Sequence, residues 1–597
     1  MREFSVPALY DVPTDGNLVD IVLRNADKYP TRAVLARKID GQWQDVTSTA
    51  FLAEVRGVAK GLIASGVQPG DRVALMSRTR YEWTLLDFAI WCAGAVSVPV
   101  YETSSAEQVE WIISDSGAVA CLVENAAHQA VVEEVRPRLS LLKHLWQIEA
   151  GAIEELTALG RDVTDAQVDE HASAAGPDSV ATINYTSGTT GRPKGCVLTH
   201  RNFLAECGNI IARNTPLFRE DSSILLFLPL AHVLARVVEV GAMVAPVKLG
   251  HVSDVKNVTE ELGKFRPTFL LGVPRVFEKV YNSARAQARA GGKEKIFELA
   301  ADTAIAYSRA LETPSGPGFV LKLKHTVLDR LVLSKLRAVL GGRTTHAISG
   351  GAALGERLGH FYRGLGLTVL EGYGLAESCA ATTLNPYDRQ KIGTVGLPLP
   401  GSSVRIADDG EILLRGEHIF NGYWNNETAT ASALVDGWFH TGDLGSLDEE
   451  GYLRITGRKK EIIVTAGGKN VAPAVIEDRI RAHALVAECM VVGEAKPFVG
   501  ALVTLDGEFL PRWAKQHGKP EDTPVEQLRN DPELLAEIQR AIDDGNVAVS
   551  KAESVRKFRI LDVQFTEASG HLTPSLKLKR NVVMKDFADE IEAIYAP

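Results

Sequence analysis

A chain of 597 residues is too long for one hydrophobic core and calls for two or more domains. With 45% hydrophobic and 23% charged residues it has the composition of a folded globular protein, and a net charge of -10 without a basic stripe excludes a nucleic-acid binder. Its six cysteines (Cys92, Cys121, Cys196, Cys207, Cys379 and Cys489) form no CxxC pair, which argues against a disulfide framework or a zinc site and for buried thiols in a reducing cytoplasm.

The first residues, MREFSVPALYDVPTDG, lack the apolar core of a signal peptide. From about Asn17 to Val180 short apolar runs alternate with helical patterns. RVALMSR (72–78) and AVSVPV (95–100) read as strands and LLDFAIWCAG (85–94) as the helix between them, the pattern of parallel βαβ units. Residues 160–178, small, acidic and polar, are expected to form a surface loop. VATINY follows as a buried strand. The apolar stretch Ile224 to Leu249 is broken by Pro229, His232, Arg236, Glu239 and Pro246, so it reads as core around a pocket and no transmembrane segment is expected. Between Arg275 and Arg343 the pattern is helical, interrupted by TPSGPG (313–318). Strands return at HAIS (346–349) and LTVL (367–370). A change of pattern near Asp443 sets a domain boundary at about 457–460, giving a large N-terminal part, 1–457, and a small C-terminal one, 461–597, with 458–460 between them. The small part has its own strands (ECMVVG, FVGALVTL) and a helix (PELLAEIQRAIDD).

The strongest local signal is YTSGTTGRPKG, Tyr185 to Gly195, between a strand and Thr199, an N-cap candidate for a helix starting at Arg201. Its hydroxyls and backbone N–H groups suit phosphate oxygens, and Lys194 adds a cation. Pro193 stands where a Walker loop requires its second glycine, which sets P-loop NTPases aside. Further along come FLPLAHV (227–233), SGGAAL (349–354), LEGYGLAES (370–378), TGD (441–443), ITGRKKEIIVTAGGKNVAP (455–473) and GHLTPSLKLKR (570–580). In this order, from about residue 17 to 585, the set resembles the adenylate-forming (AMP-binding) enzymes, the superfamily of acyl-CoA synthetases, luciferases and peptide-synthetase adenylation domains.

The resemblance implies an α/β fold. Its large N-terminal domain has mixed, mostly parallel sheets layered with helices plus a β-barrel-like subdomain, and its small C-terminal domain is mobile and α+β. It also implies a reaction in which ATP and Mg²⁺ turn a carboxylic acid into an acyl-adenylate, whose acyl group then passes to a thiol. Thr186, Ser187, Gly188, Thr189, Thr190 and Lys194 would meet the phosphates. His232 would sit by the acyl carboxylate. Gly350, Gly351 and Ala352 would line the adenine and acyl pocket. Glu371, Gly372, Tyr373, Gly374, Leu375 and Ala376 would border the nucleotide, with Tyr373 packed on adenine. Glu377, with Thr186, would hold the magnesium. Ala376 departs from the family, which commonly has a threonine donating to the α-phosphate there. Asp443 would accept from the ribose hydroxyls, Arg458 would contact ribose or phosphate, and Lys460 would be the hinge. Gly467 and Gly468 would let the pantetheine of coenzyme A pass. Lys577 would be the mobile catalytic lysine, placed to offset the charge that builds when a carboxylate attacks phosphorus.

Three features resemble the long-chain fatty acyl-CoA synthetases: the helical stretch after VPRVFEKV, LPLAHV followed by Arg236 and Val237, and the LTPSLKLKR ending. They imply a fatty acid as substrate, and coenzyme A as acceptor, because no carrier-protein motif occurs. A separate carrier protein as acceptor, and a non-catalytic acyl- or nucleotide-binding regulator, are the alternatives. Arg556, Lys557 and Arg559 read as an exposed strand edge in preference to a coenzyme A contact. A homodimer and peripheral contact with a membrane stay open.

Overall fold

The computed structural model describes residues 1–186, 192–573 and 576–596. Two sheets built on parallel strands dominate the large N-terminal part. One runs His144–Gln147, Ala120–Val123, Arg72–Met76, Val96–Val100, Val180–Thr186 and Lys194–Thr199, with only the last strand antiparallel to its neighbour. The other has nine strands, with six consecutive parallel ones (Thr368–Tyr373, His346–Ser349, Phe269–Gly272, Ser223–Leu226, Lys248–His251, Ala33–Ile39) and antiparallel edges. Near-continuous burial of strands such as Val96–Val100 explains their unbroken apolar runs, since both faces are covered by helices.

The helices Tyr81–Cys92, His200–Arg213 and Val233–Val244 feed side chains into one core that also takes Val73 and Leu75 from the first sheet and Leu226 and Leu249 from the second. The stretch Ile224 to Leu249 is therefore a strand–helix–strand unit of this core. No helix among the described residues is long and apolar enough to cross a membrane. A third, antiparallel sheet pairs Glu3–Ser5, Ser402–Ile406, Glu411–Gly416, Trp438–Leu447, Leu434–Val435 and Leu453–Arg458. After Arg458 the chain forms the hairpin Ile463–Val464 with Asn470–Val471 and the three-stranded sheet Val486–Val492, Val499–Leu505, Val555–Ile560, packed with the helices Pro473–Arg481 and Pro532–Asn546.

The helix predicted after Thr199 begins at His200, with Thr199 accepting from Asn202 N and Asn202 returning the bond. All six cysteines are free and buried. The strand Val555–Ile560 carrying Arg556, Lys557 and Arg559 is the edge of its sheet. One expectation fails. Within 160–178 the chain forms the helix Asp165–Ser173, because Thr164 and Gln167 close a capping box at its start. That box is written in the sequence as Thr-x-x-Gln, a signal overlooked amid the polar composition.

Candidate active site

Several of the expected site residues stand at the C-terminal ends of parallel strands: Thr186 ends Val180–Thr186, Gly350 follows His346–Ser349 and Tyr373 ends Thr368–Tyr373, the usual location of a site in such sheets. On one wall, Val180–Thr186 and Lys194–Thr199 form a hairpin in which Thr186 pairs with Lys194. Ser187, Gly188, Thr189 and Thr190 lie outside the described residues. The hairpin is braced by the segment Phe420–Trp424: Val197 N donates to Gly422 O at 3.0 Å and Trp424 N to Gly195 O at 2.7 Å. Between them stands Tyr423. The Lys194 ammonium lies 4.6 Å from its ring centroid, and its hydroxyl donates to Glu377 Oε1 at 2.8 Å. Tyr423 thus joins the loop lysine to the carboxylate expected to hold magnesium. Tyr423 lies outside the motifs named above, although FNGYW (420–424) is an aromatic cluster flanking a glycine.

His232 caps the helix Val233–Val244, its Nδ1 accepting from Leu234 N at 3.2 Å. With Nδ1 as acceptor, the neutral ring carries its proton on Nε2. Burial, reinforced by the Lys577 charge, pulls its pKa down to about 4, so the imidazole is neutral at pH 7. Four residues on, the buried Arg236 donates to Asp87 Oδ2 with two of its nitrogens, at 2.9 and 2.6 Å, and to Thr182 Oγ1 at 2.6 Å, fixing this helix against both Tyr81–Cys92 and the first sheet.

The loop after His346–Ser349 holds Gly350, Gly351 and Ala352, with Gly351 at φ +85°, a left-handed conformation that favours glycine. Its end is tied down by Glu371, whose Oε1 accepts from Leu354 N at 2.9 Å. Burial lifts the Glu371 pKa to about 7. Gly372, in the strand Thr368–Tyr373, and Gly374, just after it, lead into the following turn. A Cβ on Gly374 would come within 1.9 Å of Ala380 O, so this backbone passes where no side chain fits. Leu375, Ala376 and Glu377 follow, the last two in the short turn Ala376–Ser378.

Tyr373 donates from its hydroxyl to Asp443 Oδ2 at 2.7 Å, and burial followed by the Asp443 charge raises its pKa. Asp443 faces Arg458 across the antiparallel pair of Trp438–Leu447 and Leu453–Arg458, with 3.4 Å between Oδ1 and Nε. Lys577 enters from the small domain. Its backbone is held by reciprocal bonds with Thr573, N to Oγ1 at 3.0 Å and O from Thr573 N at 2.8 Å. Its ammonium lies within the fields of Arg458, Asp443 and Glu377; crowding by these neighbours desolvates it and, with the Arg458 charge, lowers its pKa, although the residue as a whole keeps solvent exposure.

The structure therefore brings together Lys194, His232, Tyr373, Glu377, Asp443, Arg458 and Lys577. It does not bring Gly467 and Gly468 to them. These glycines sit exposed on the turn of the hairpin Ile463–Val464 with Asn470–Val471, whose outward bonds run to its own domain, as from Ala466 N to Lys496 O at 2.9 Å. Lys460 is exposed on the turn Lys459–Glu461.

Comparison with known proteins places this geometry. Residues 22–424 match the AMP-binding enzyme family and residues 460–597 the AMP-binding enzyme C-terminal domain. The chain is 52% identical over 598 residues to the long-chain-fatty-acid–CoA ligase FadD15 of Mycobacterium bovis, covering 100% of both chains. It is 30% identical over 613 residues to the long-chain-fatty-acid–CoA ligase ACSBG2 of Xenopus laevis, covering 95% of this chain and 82% of that one. Among solved structures, o-succinylbenzoate CoA synthetase from Bacillus subtilis in complex with ATP and magnesium aligns with a TM-score of 0.67 at 21% identity, over 94% of this chain and 98% of that one, a likeness of fold. On the family match and the full-length identity, the chain belongs to the AMP-binding enzyme family.

Proposed function

We propose that the protein is a long-chain fatty acid:CoA ligase of the AMP-forming kind. The observation that carries this reading is 52% identity over the full length of both chains to a long-chain-fatty-acid–CoA ligase. The substrates are then a fatty acid, ATP and coenzyme A, and the products AMP, pyrophosphate and acyl-CoA. In adenylation a carboxylate attacks the α-phosphorus of ATP, two anions meet, and pyrophosphate leaves. Lys194 and Lys577 supply cations for that charge, in a cleft where fixed charges act more strongly than in water. His232, neutral and carrying its proton on Nε2, is suited to donate to the acyl carboxylate without forming an ion pair that would lower its nucleophilicity. Tyr373 offers its ring to adenine, while Asp443 and Arg458 face the ribose.

A single carboxylate with hydroxyl neighbours is too sparse for a resident metal, and no cluster of three metal-ligating side chains occurs among the described residues. It does fit Mg²⁺ that arrives on the nucleotide, keeping waters and phosphate oxygens in most of its positions. Glu377 would hold it, with Tyr423 orienting the carboxylate; bound there, it would offset phosphate charge. Thioester formation needs a thiol to reach the adenylate, and Gly467 and Gly468 are the residues assigned to its passage. Rotation about Lys460 would exchange Lys577 for that hairpin. The six free, buried cysteines fit a reducing cytoplasm.

The test is a panel of C2 to C24 acids with ATP and coenzyme A, reading AMP, pyrophosphate and acyl-CoA. Turnover should favour acids of about twelve carbons or more, each buried methylene contributing about 0.8 kcal/mol. Turnover of acetate equal to that of palmitate would overturn the long-chain reading, and adenylate without acyl-CoA would shift the acceptor to a carrier protein.

A further inference from the structure

The helix Phe319–Leu328 and the turn Asp329–Leu333 that extends it have two apolar faces. One packs inward. Leu328 is buried, and His325 stacks on Tyr307 with ring centroids 4.1 Å apart while its Nε2 meets Gly364 O at 2.7 Å. A surface helix should be polar on its other side. Here the outward positions are Phe319 (79% exposed), Val320 (78%), Leu323 (57%), Val327 (49%) and Leu331 (56%). Phe319, Leu323, Val327 and Leu331 recur at a spacing of four, so they form one stripe along the helix. Scattered exposed apolar residues need no explanation, but a contiguous stripe marks a surface that something covers.

The charges beside the stripe identify what covers it. Lys322, Lys324 and Arg330 on this segment, and Lys335 just beyond it, are exposed, and none has an ion-pair partner among the described residues. The one acid there, Asp329, is taken by Arg337 at 2.5 Å. In a chain of net charge -10, this is a local cationic patch around an apolar strip. A second copy related by a two-fold axis would set these unpaired cations against their own images. An anionic lipid surface satisfies both features at once, taking the apolar side chains below its headgroups and the ammonium and guanidinium groups among its phosphates.

We propose that Phe319–Leu333 is a membrane-docking helix that seats this protein on an anionic bilayer. The inference stands apart from the reading of the reaction, since it uses none of the cleft residues. The purified full-length protein, sedimented with vesicles of phosphatidylcholine alone or mixed with phosphatidylglycerol, should bind the anionic vesicles and lose that binding in high salt. The triple variant Phe319→Ser, Leu323→Ser, Val327→Ser should lower partitioning by at least about tenfold. Lys322→Gln with Lys324→Gln should lower it by about fivefold per lysine on anionic vesicles only. Because all five positions face solvent, the thermal midpoint and the turnover of a detergent-dispersed acid should not move. Absence of binding by the wild-type protein, or serine and glutamine variants that bind as well as it does, would overturn the proposal. So would sedimentation velocity showing a dimer that the serine variant dissociates, which would assign the stripe to a second copy.

Discussion

Four residues beyond His232, the buried ion pair of Arg236 with Asp87 has a second carboxyl, Glu239, within its field, and this makes an unusual prediction. Arg236 and Asp87 are 0% exposed and bonded to each other, and Ser97 Oγ donates to Asp87 Oδ1 at 2.5 Å. Glu239, one turn beyond Arg236 and also buried, has neither carboxyl oxygen in a hydrogen bond. Burial and the Asp87 charge push its pKa far up and favour its neutral form, which leaves Arg236 and Asp87 as the ion pair of the cluster. Breaking a buried ion pair by removing one partner costs about 3–5 kcal/mol, because the other charge is stranded. In Asp87→Asn, however, Glu239 stands ready to ionise and replace the lost anion. That variant should lose only about 1–2 kcal/mol in urea unfolding at pH 7. Glu239→Gln exchanges a neutral acid for a neutral amide of the same shape and should cost less than about 1 kcal/mol. The double variant has no anion left and should lose the full 3–5 kcal/mol or so, a non-additivity of about 2 kcal/mol. If Asp87→Asn alone shows the full loss and Glu239→Gln adds nothing to it, Glu239 is not the reserve anion argued here.

Lys577→Ala should slow acyl-adenylate formation by about 10²–10³-fold while leaving coenzyme A transfer from supplied acyl-AMP near the wild-type rate, measured in separate half-reactions. Tyr423→Phe keeps the ring beside Lys194 but deletes the bond to Glu377. At about 1.5–3 kcal/mol for a hydrogen bond to a charged group, kcat/KM for ATP should fall about 10–100-fold, and an unchanged value would refute the bridging role. Glu371 titrates near 7 when folded, against an ordinary carboxylate pKa of 4.5. The unfolded chain therefore releases this proton first, and the native state loses stability as pH rises from about 4.5 to 7. Glu371→Gln can still accept from Leu354 N and removes that loss, so its advantage over wild type should grow to about 3 kcal/mol at pH 8 and vanish near pH 4. A constant difference across that range would contradict this.

Local signals were the legible ones. The parallel sheets could be read from runs such as AVSVPV because strands covered on both faces have no polar positions to interrupt them. The start of the helix at His200 was readable because an N-cap is a local bargain between one side chain and the backbone three residues on. The helix Asp165–Ser173 was missed for a related reason, since its capping box is equally local but its composition resembles a loop. The candidate site was legible as far as its motifs extend. Tyr423 belongs to no motif that was recognised, and its two partners, Lys194 and Glu377, are brought to it only by folding. The same holds for Glu371 and Leu354, joined by a turn of the chain that no periodicity announces. Glu239 interrupts an apolar stretch in the sequence; only packing shows that it lies in the field of the Arg236–Asp87 pair.

The arrangement of the small domain bears on how one site could serve two half-reactions. Lys577 is in the cleft with Asp443 and Glu377, whereas the Gly467 hairpin is turned to its own domain. Contacts across the two parts include Arg275 Nη1 to Ala487 O at 2.9 Å and to Glu488 at 3.4 Å, and Lys279 to Glu508 at 3.0 Å. Lys279 and Glu508 are 52% and 57% exposed along their side chains, and an ion pair of that kind contributes about 0–1 kcal/mol, while Glu488 is buried but keeps Arg481 as a partner when Arg275 leaves. The apolar clusters of the small part are built from its own residues, with Ala286 the one partner from the large part among the described residues. Swinging the small domain away would therefore uncover little apolar surface and break only weak bonds. If Lys577 stands at the α-phosphate for one step and leaves for the next, as proposed, such an attachment suits it, because an apolar interface of ordinary size would hold it in place for both.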